Sequence, residues 1–264
     1  MLYYILKENQ LIKTMNTEQI IGIILTLIFG AAFGSFATLF AYRLPRKESC
    51  FGRYFGPKSR CSNCGTTIIT RDLIPILNWL ITRGKCRACK HPVPKVHLFV
   101  ELTTVLLFLV CYYSFGFTEK FIVYSLASVA LVVAMASDFT HKVFPDQVLL
   151  FVLFFVGSDK ILQDQTVLNM AYSGLIGVFF VIALHKIIYN KSPYLFANEQ
   201  HFFSYSKFVL LASVLLNIEN CLFYCLVVTI TLFAVFKALK PTKPLSFGYV
   251  FIVPFICLTI ISPI

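Results

Sequence analysis

Charge is scarce in this chain, and acid is scarcer still. Of 264 residues only 13% are charged, with 12 Asp and Glu against 23 Lys and Arg, while 58% are hydrophobic. So little charge cannot cover the surface of a soluble globule, and that class is excluded; the composition is that of a polytopic membrane protein. No cleavable leader is expected either. Residues 1–17 are mixed and weakly apolar, with no small-residue cleavage site behind a short hydrophobic core. Met15 is an alternative start, which would make the residues before it a dispensable extension. There is no internal repeat, no low-complexity tract and no His-Glu-x-x-His zinc-peptidase pattern around His201. The net charge of +11 is read as loops beside a membrane, and no nucleic-acid partner is expected.

What is abundant is apolar sequence, and it falls into eight runs: 20–41, 97–115, 121–137, 148–156, 167–188, 208–216, 222–236 and 247–261. The first suits a hydrocarbon core of about 30 Å. Gly30 and Gly34 in it form a small-xxx-small pair that lets a second helix come close. The expected fold is all-α and polytopic, with about eight transmembrane helices and a small zinc-ribbon-like module between the first two. The organisation reads as an extension 1–19, a first helix 20–41, a four-cysteine module 42–96 and a seven-helix membrane domain 97–264. With the module placed inside and the spans alternating, every Lys and Arg except Lys7, Lys13, Lys120 and Lys160 falls on the inner side. That asymmetry predicts a cytoplasmic module and both chain ends outside.

The module is the one long polar stretch. It carries Cys61-Ser62-Asn63-Cys64 and Cys86-Arg87-Ala88-Cys89. Two residues between cysteines let both sulfurs of a tight turn face one point, and two such turns supply a tetrahedral Zn²⁺ site. Gly65 after the first pair and Gly84 before the second suit the sharp backbone required. Bases from Arg43 to Lys95 face only Glu48 and Asp72 here. Two disulfides are the alternative, though a cytoplasmic placement disfavours them. Cys50, Cys111, Cys221, Cys225 and Cys257 lie mostly in apolar runs and read as small packing residues.

Asp138 and Asp146 flank the break between the third and fourth runs. A carboxylate at that depth costs several kcal/mol if it meets lipid, so Asp138 is a candidate site residue facing other helices or water. The plainer alternative is a hydrated turn in which His141 or Lys142 pairs with it, and in which Pro145-Asp146 merely starts a helix.

With these residues in hand the chain resembles the prepilin leader peptidases of type IV pilus and type II secretion systems. The likeness runs through Phe33-Gly34-Ser35-Phe36, Tyr42-Arg43-Leu44-Pro45, the two cysteine pairs, Ile74-Pro75-Ile76-Leu77-Asn78-Trp79-Leu80 and Val100-Glu101-Leu102-Thr103. It continues to Asp138 with Phe144-Pro145-Asp146, and Phe247-Gly248 is similar to the opening of the family's last helix. The resemblance implies an aspartic endopeptidase of the bacterial cytoplasmic (inner) membrane. Such an enzyme cuts the basic leader from type IV prepilin or pseudopilin precursors, then methylates the new N-terminus with S-adenosylmethionine. Its cysteine module, associated with zinc and methyl transfer, would be structural support for that chemistry. Asp138 matches the first of two aspartates that share a water. The second belongs to a Gly-x-Gly-Asp-x-Lys motif, and the corresponding stretch here runs from Phe202 through Lys207 with neither glycines nor acid. Either Tyr205 or Lys207 takes the aspartate position. Glu199 and Asp146 are the acids available as substitutes. The peptidase step is therefore expected to be impaired. The alternatives are a non-catalytic paralogue that binds pilin-like substrates or assembly partners, and an unrelated zinc-stapled transporter using Asp138.

Overall fold

A computed structural model describes residues 17–50, 59–162, 167–189, 199–239 and 246–261. Residues 1–16 of the N-terminal extension, Met15 among them, lie outside them, and residues 17–19 already belong to the first helix. Most of the described residues are helical, and no sheet forms among them. Helix α1 (Thr17–Arg43) runs into a 3₁₀ turn at Leu44–Arg46; a second 3₁₀ turn, Thr70–Leu73, and a short helix α2 (Leu77–Ile81) belong to the cysteine module. Then come α3 (Lys95–Phe115), α4 (Glu119–His141), α5 (Asp146–Leu162), α6 (Val167–Leu184), α7 (Glu199–Leu215), α8 (Ile218–Leu239) and α9 (Gly248–Ile256). Helices α6 and α9 each continue as a single π turn, His185–Tyr189 and Cys257–Ile261.

Each predicted apolar run falls on one of these helices. Five of the helices, α1, α3, α4, α6 and α8, are long and apolar enough to cross a membrane, and α7 and α9 are shorter apolar helices. Large apolar side chains such as Ile28, Phe29, Leu106, Phe179 and Phe233 stand exposed on the outside of the bundle, as lipid contact requires. Local chemistry sets the ends. Gly116 terminates α3 at φ 60°, and Lys142 in the left-handed region closes α4 by donating its N–H to the Asp138 carbonyl at 3.0 Å. Asp146 begins α5 directly after Pro145, the helix-start role considered for it.

Helix α4 is the centre of the bundle, packed against α1, α3, α5 and α9, and small residues cover most of it: Ala127, Ser128, Ala130, Ala134, Ala136 and Ser137 are buried. On α1 a stripe of Gly22, Thr26, Gly30, Gly34, Ala37 and Ala41 is buried against α3 and α4. A Cβ on Gly34 would stand 3.0 Å from the Glu101 Cα, and one on Gly30 3.0 Å from the Val105 Cα, so the backbones of α1 and α3 meet where the small-xxx-small pair predicted a close approach.

Three boundaries differ from the sequence reading, each for a packing reason. Helix α4 runs through Asp138 to His141 because that aspartate is turned inward. Helix α5 continues to Leu162, past Ser158, because Asp159 is also buried and accepts a 2.9 Å hydrogen bond from the Tyr124 hydroxyl. Helix α7 begins at Glu199 rather than near Phe208, since Phe202 and Tyr205 already lie in the core and Ser206 bonds back to the Phe202 carbonyl.

Candidate functional site

The cysteine module is built from two copies of one turn. In the first, Cys61 N–H donates to the Thr66 carbonyl and Gly65 N–H to the Cys61 carbonyl, both at 3.0 Å. In the second, Cys86 N–H donates to the His91 carbonyl at 2.9 Å and Lys90 N–H to the Cys86 carbonyl at 3.0 Å. Isolated bridges, Arg60 with Thr67 and Lys85 with Pro92, close each turn at its base. The residue after the second cysteine of each pair must adopt positive φ: Gly65 at 69° and Lys90 at 60°. Gly84 serves otherwise. Its φ is 65°, and a Cβ there would strike the Trp79 ring. Lys90 escaped the sequence reading, though its place one residue past Cys89, matching Gly65 past Cys64, is visible in the spacing.

The four sulfurs lie within 4.8 Å of one another, and Cys61 Sγ is 3.8 Å from Cys89 Sγ. Four thiolates about 2.3 Å from a central tetrahedral ion would stand about 3.8 Å apart, whereas a disulfide needs about 2.05 Å. The thiols are free, so the two-disulfide alternative is set aside and the cluster fits one soft-ligand metal ion. Hydrogen bonding from Thr66, whose Oγ1 is 3.3 Å from Cys64 Sγ, brings the Cys64 thiol down to about 6. That thiol is ready to act as a thiolate ligand near neutral pH.

At the far end of α4 the structure decides what Asp138 does. The carboxylate is only 1% exposed, so it is not part of a hydrated turn. Its Oδ1 accepts a 2.6 Å hydrogen bond from the Tyr205 hydroxyl, and its Oδ2 accepts the Gly248 N–H at 2.9 Å. Tyr205 is held in turn: its oxygen accepts the Phe247 N–H at 2.9 Å, and its ring stacks on Phe251 and meets Phe144 edge-on. Together Asp138 and Tyr205 satisfy the first amides of α9, as a capping carboxylate would. Lys142, considered as a partner for Asp138, instead reaches Ser246, whose hydroxyl lies 3.3 Å from the Asp138 carbonyl oxygen.

Tyr205 and Lys207 point in different directions. Tyr205 takes the position facing Asp138, while the Lys207 ammonium sits 2.8 Å from Asp146, outside on the surface. Asp146, considered as a partner for Asp138, is exposed and lies against Lys207. The Glu199 side chain lies outside the described ones. Cys221 and Cys225 are buried between helices, with the Cys221 thiol 3.6 Å from the Ser173 carbonyl oxygen.

Fold and site define a multi-pass, all-helical membrane protein with a four-thiol module inserted between its first two long helices. Residues 28–115, from α1 through the module to the end of α3, match the family model described as the Bacterial Peptidase A24 N-terminal domain. The chain is 36% identical over 119 residues to the prepilin leader peptidase/N-methyltransferase of Myxococcus xanthus, covering 45% of this chain and 34% of that protein. It is 32% identical over 151 residues to the protein of the same name from Bacillus subtilis, covering 57% and 58%. With the type 4 prepilin-like proteins leader peptide-processing enzyme of Escherichia coli it shares 36% identity over 90 residues, 34% of each. Along these stretches the chain is similar to prepilin leader peptidases. The matches span between about a third and three fifths of the length of these relatives, and no solved structure matches.

Proposed function

We propose that this protein is a non-cleaving member of the prepilin leader peptidase family, which binds type IV prepilin or pseudopilin precursors in the bacterial cytoplasmic membrane without hydrolysing them. The observation that carries this reading is the Tyr205 hydroxyl 2.6 Å from Asp138. Aspartic hydrolysis needs two carboxylates that share one proton around a water, so that one acts as base while the other donates. A phenol, with an ordinary pKa near 10, supplies no such base at neutral pH. The buried Asp138 carboxylate is also already committed, one oxygen to Tyr205 and the other to the Gly248 amide. The aspartate that would be catalytic here anchors α9.

The matched portion favours a second activity that survives. Residues 28–115 carry the family likeness, and in the resemblance that half is associated with methyl transfer from S-adenosylmethionine. On this reading the four thiolates hold a structural Zn²⁺ that keeps the cytoplasmic module folded, and the methyl acceptor is the N-terminus of an already processed pilin.

One reconstitution separates the outcomes. The full chain in vesicles is incubated with a prepilin bearing a basic leader, and in parallel with processed pilin and labelled S-adenosylmethionine. The expected result is no cleavage, with binding of the precursor retained. Cleavage that disappears in Asp138→Asn would show a working peptidase with a substitute acid such as Glu199, and would end the proposal. Methyl transfer to processed pilin supports the second activity, and its absence leaves a binding protein.

A further inference from the structure

The module is not only polar. Between its two cysteine turns, Ile69, Leu73, Ile74, Leu77, Leu80 and Ile81 all present exposed side chains, Ile81 at 69%. Leu77, Leu80 and Ile81 are spaced i, i+3, i+4 on α2, so they share one face, and Ile74 is exposed just ahead of the helix. An apolar face of this kind on a basic module needs something to cover it.

Its depth says what. The Ile76 N–H donates to the Glu101 carboxylate at 2.7 Å, which ties the start of α2 to the side of α3. Glu101 lies six residues inside α3 from Lys95, about 9 Å along the helix axis. It also packs on Gly34, nine residues and about 13 Å back from the end of α1 at Arg43. Two independent helices thus put α2 well below the charged ends of the spans. At that level the neighbouring outer surface is already apolar, with Phe36 on α1 and Phe99 on α3 exposed. The backbone is forced to reach there: Ile76, a β-branched residue, sits at φ 63°, a conformation such residues adopt only under external constraint. Arg60, Arg83, Lys85, Lys90 and Lys95 of the same module are exposed, cations suited to anionic headgroups.

We infer that residues 69–81 form an interfacial anchor: the apolar face of α2 is sunk into the leaflet on the module's side, and the module's exposed bases contact anionic lipid. The partner is the bilayer itself, and the module is a part-embedded cap rather than a soluble appendage. A face of this size inserts to a depth of about 5–10 Å, in accord with the level set by Glu101.

The chain's single tryptophan, Trp79, lies on α2 and reports on this segment directly. The full chain is reconstituted at low density in vesicles of phosphatidylcholine and phosphatidylglycerol whose acyl chains carry bromine on either shallow or terminal carbons. Trp79 emission is expected to lose most of its intensity with shallow bromines, less with terminal ones, and little with aqueous acrylamide. Quenching by acrylamide but not by bromolipid would put α2 in water and overturn the inference. Resistance to both would mean that protein, a second copy or another apolar helix, covers the face, and would overturn it equally. The double variant Leu77→Asn, Leu80→Asn is expected to shift Trp79 emission to the red and exchange bromolipid quenching for acrylamide quenching. Unchanged quenching in a variant with unchanged helicity would also refute it.

Discussion

Two residues apart on one helix, Tyr205 and Lys207 have opposite fates. Tyr205 is 2% exposed and hydrogen-bonded at both ends of its hydroxyl, whereas the Lys207–Asp146 pair stands in water with both side chains more than half exposed. Their energetic weights follow. Tyr205→Phe strips a charged acceptor and a buried amide of their partner and is expected to cost about 3 kcal/mol. Lys207→Ala breaks an exposed ion pair worth under about 1 kcal/mol. Thermal unfolding in one detergent should rank them so; equal losses would mean that the Asp138–Tyr205 bond contributes nothing special. At the module, Thr66→Val removes the hydroxyl that helps hold Cys64 near 6. The sign is fixed: a higher thiol pKa means stronger proton competition, so the metal leaves at a higher pH than in the parent protein. A pH titration of bound metal reads that midpoint, and no upward movement would count against Thr66 as its support.

At the scale of elements, much of the structure was legible because membranes leave few options. Long apolar runs become helices, and paired cysteines two residues apart become metal turns, whatever surrounds them. What could not be read was which polar residues the helices turn inward. Asp159 and Tyr205 are satisfied by partners on other helices, distant in sequence, so no local pattern announces them; Asp138 stood out by its depth, but its partners Tyr205 and Gly248 did not. One clue was present. Phe202, Tyr205, Phe208 and Ala212 recur at helical spacing and are all buried, which puts Lys207 on the opposite face. The anchoring of α9 has its own consequence. A Cβ on Gly248 would stand 2.9 Å from Asp138 Oδ2 and 3.2 Å from the Phe144 ring, so Gly248→Ala must push the carboxylate away. An overpacking cost of about 1–3 kcal/mol is expected. Because α9 is held there by the Gly248 and Phe247 amides, hydrogen exchange in 248–256 should rise in this variant and in Asp138→Ala, while α1 and α3 keep their protection. Uniform loss of protection would show that Asp138 supports the whole bundle rather than one helix.

For the molecule as a whole, the decisive quantity is which helices cross. Helix α5 has 17 residues, about 25 Å, against a hydrocarbon core of about 30 Å, and like α7 it is not among the five helices long enough to cross. Its first turn carries the Asp146–Lys207 pair and its last turn buries Asp159 on Tyr124, so polar groups shorten its lipid-exposed part further. Yet Tyr124 opens α4 and Asp138 nears its close, and α5 spans from beside one to beside the other. A helix paired end to end with a crossing neighbour must itself cross, with the bilayer thinning or its flanking side chains reaching outward to cover the deficit. The distribution of bases predicts that the end of α5 at Leu162 lies on the side opposite the cysteine module. Alkaline phosphatase and green fluorescent protein fusions after Lys90 and after Leu162 should give opposite reports: fluorescence without phosphatase at Lys90, phosphatase without fluorescence at Leu162. If both positions report the cytoplasm, α5 enters and returns on one side, and every helix after it must be assigned the other direction.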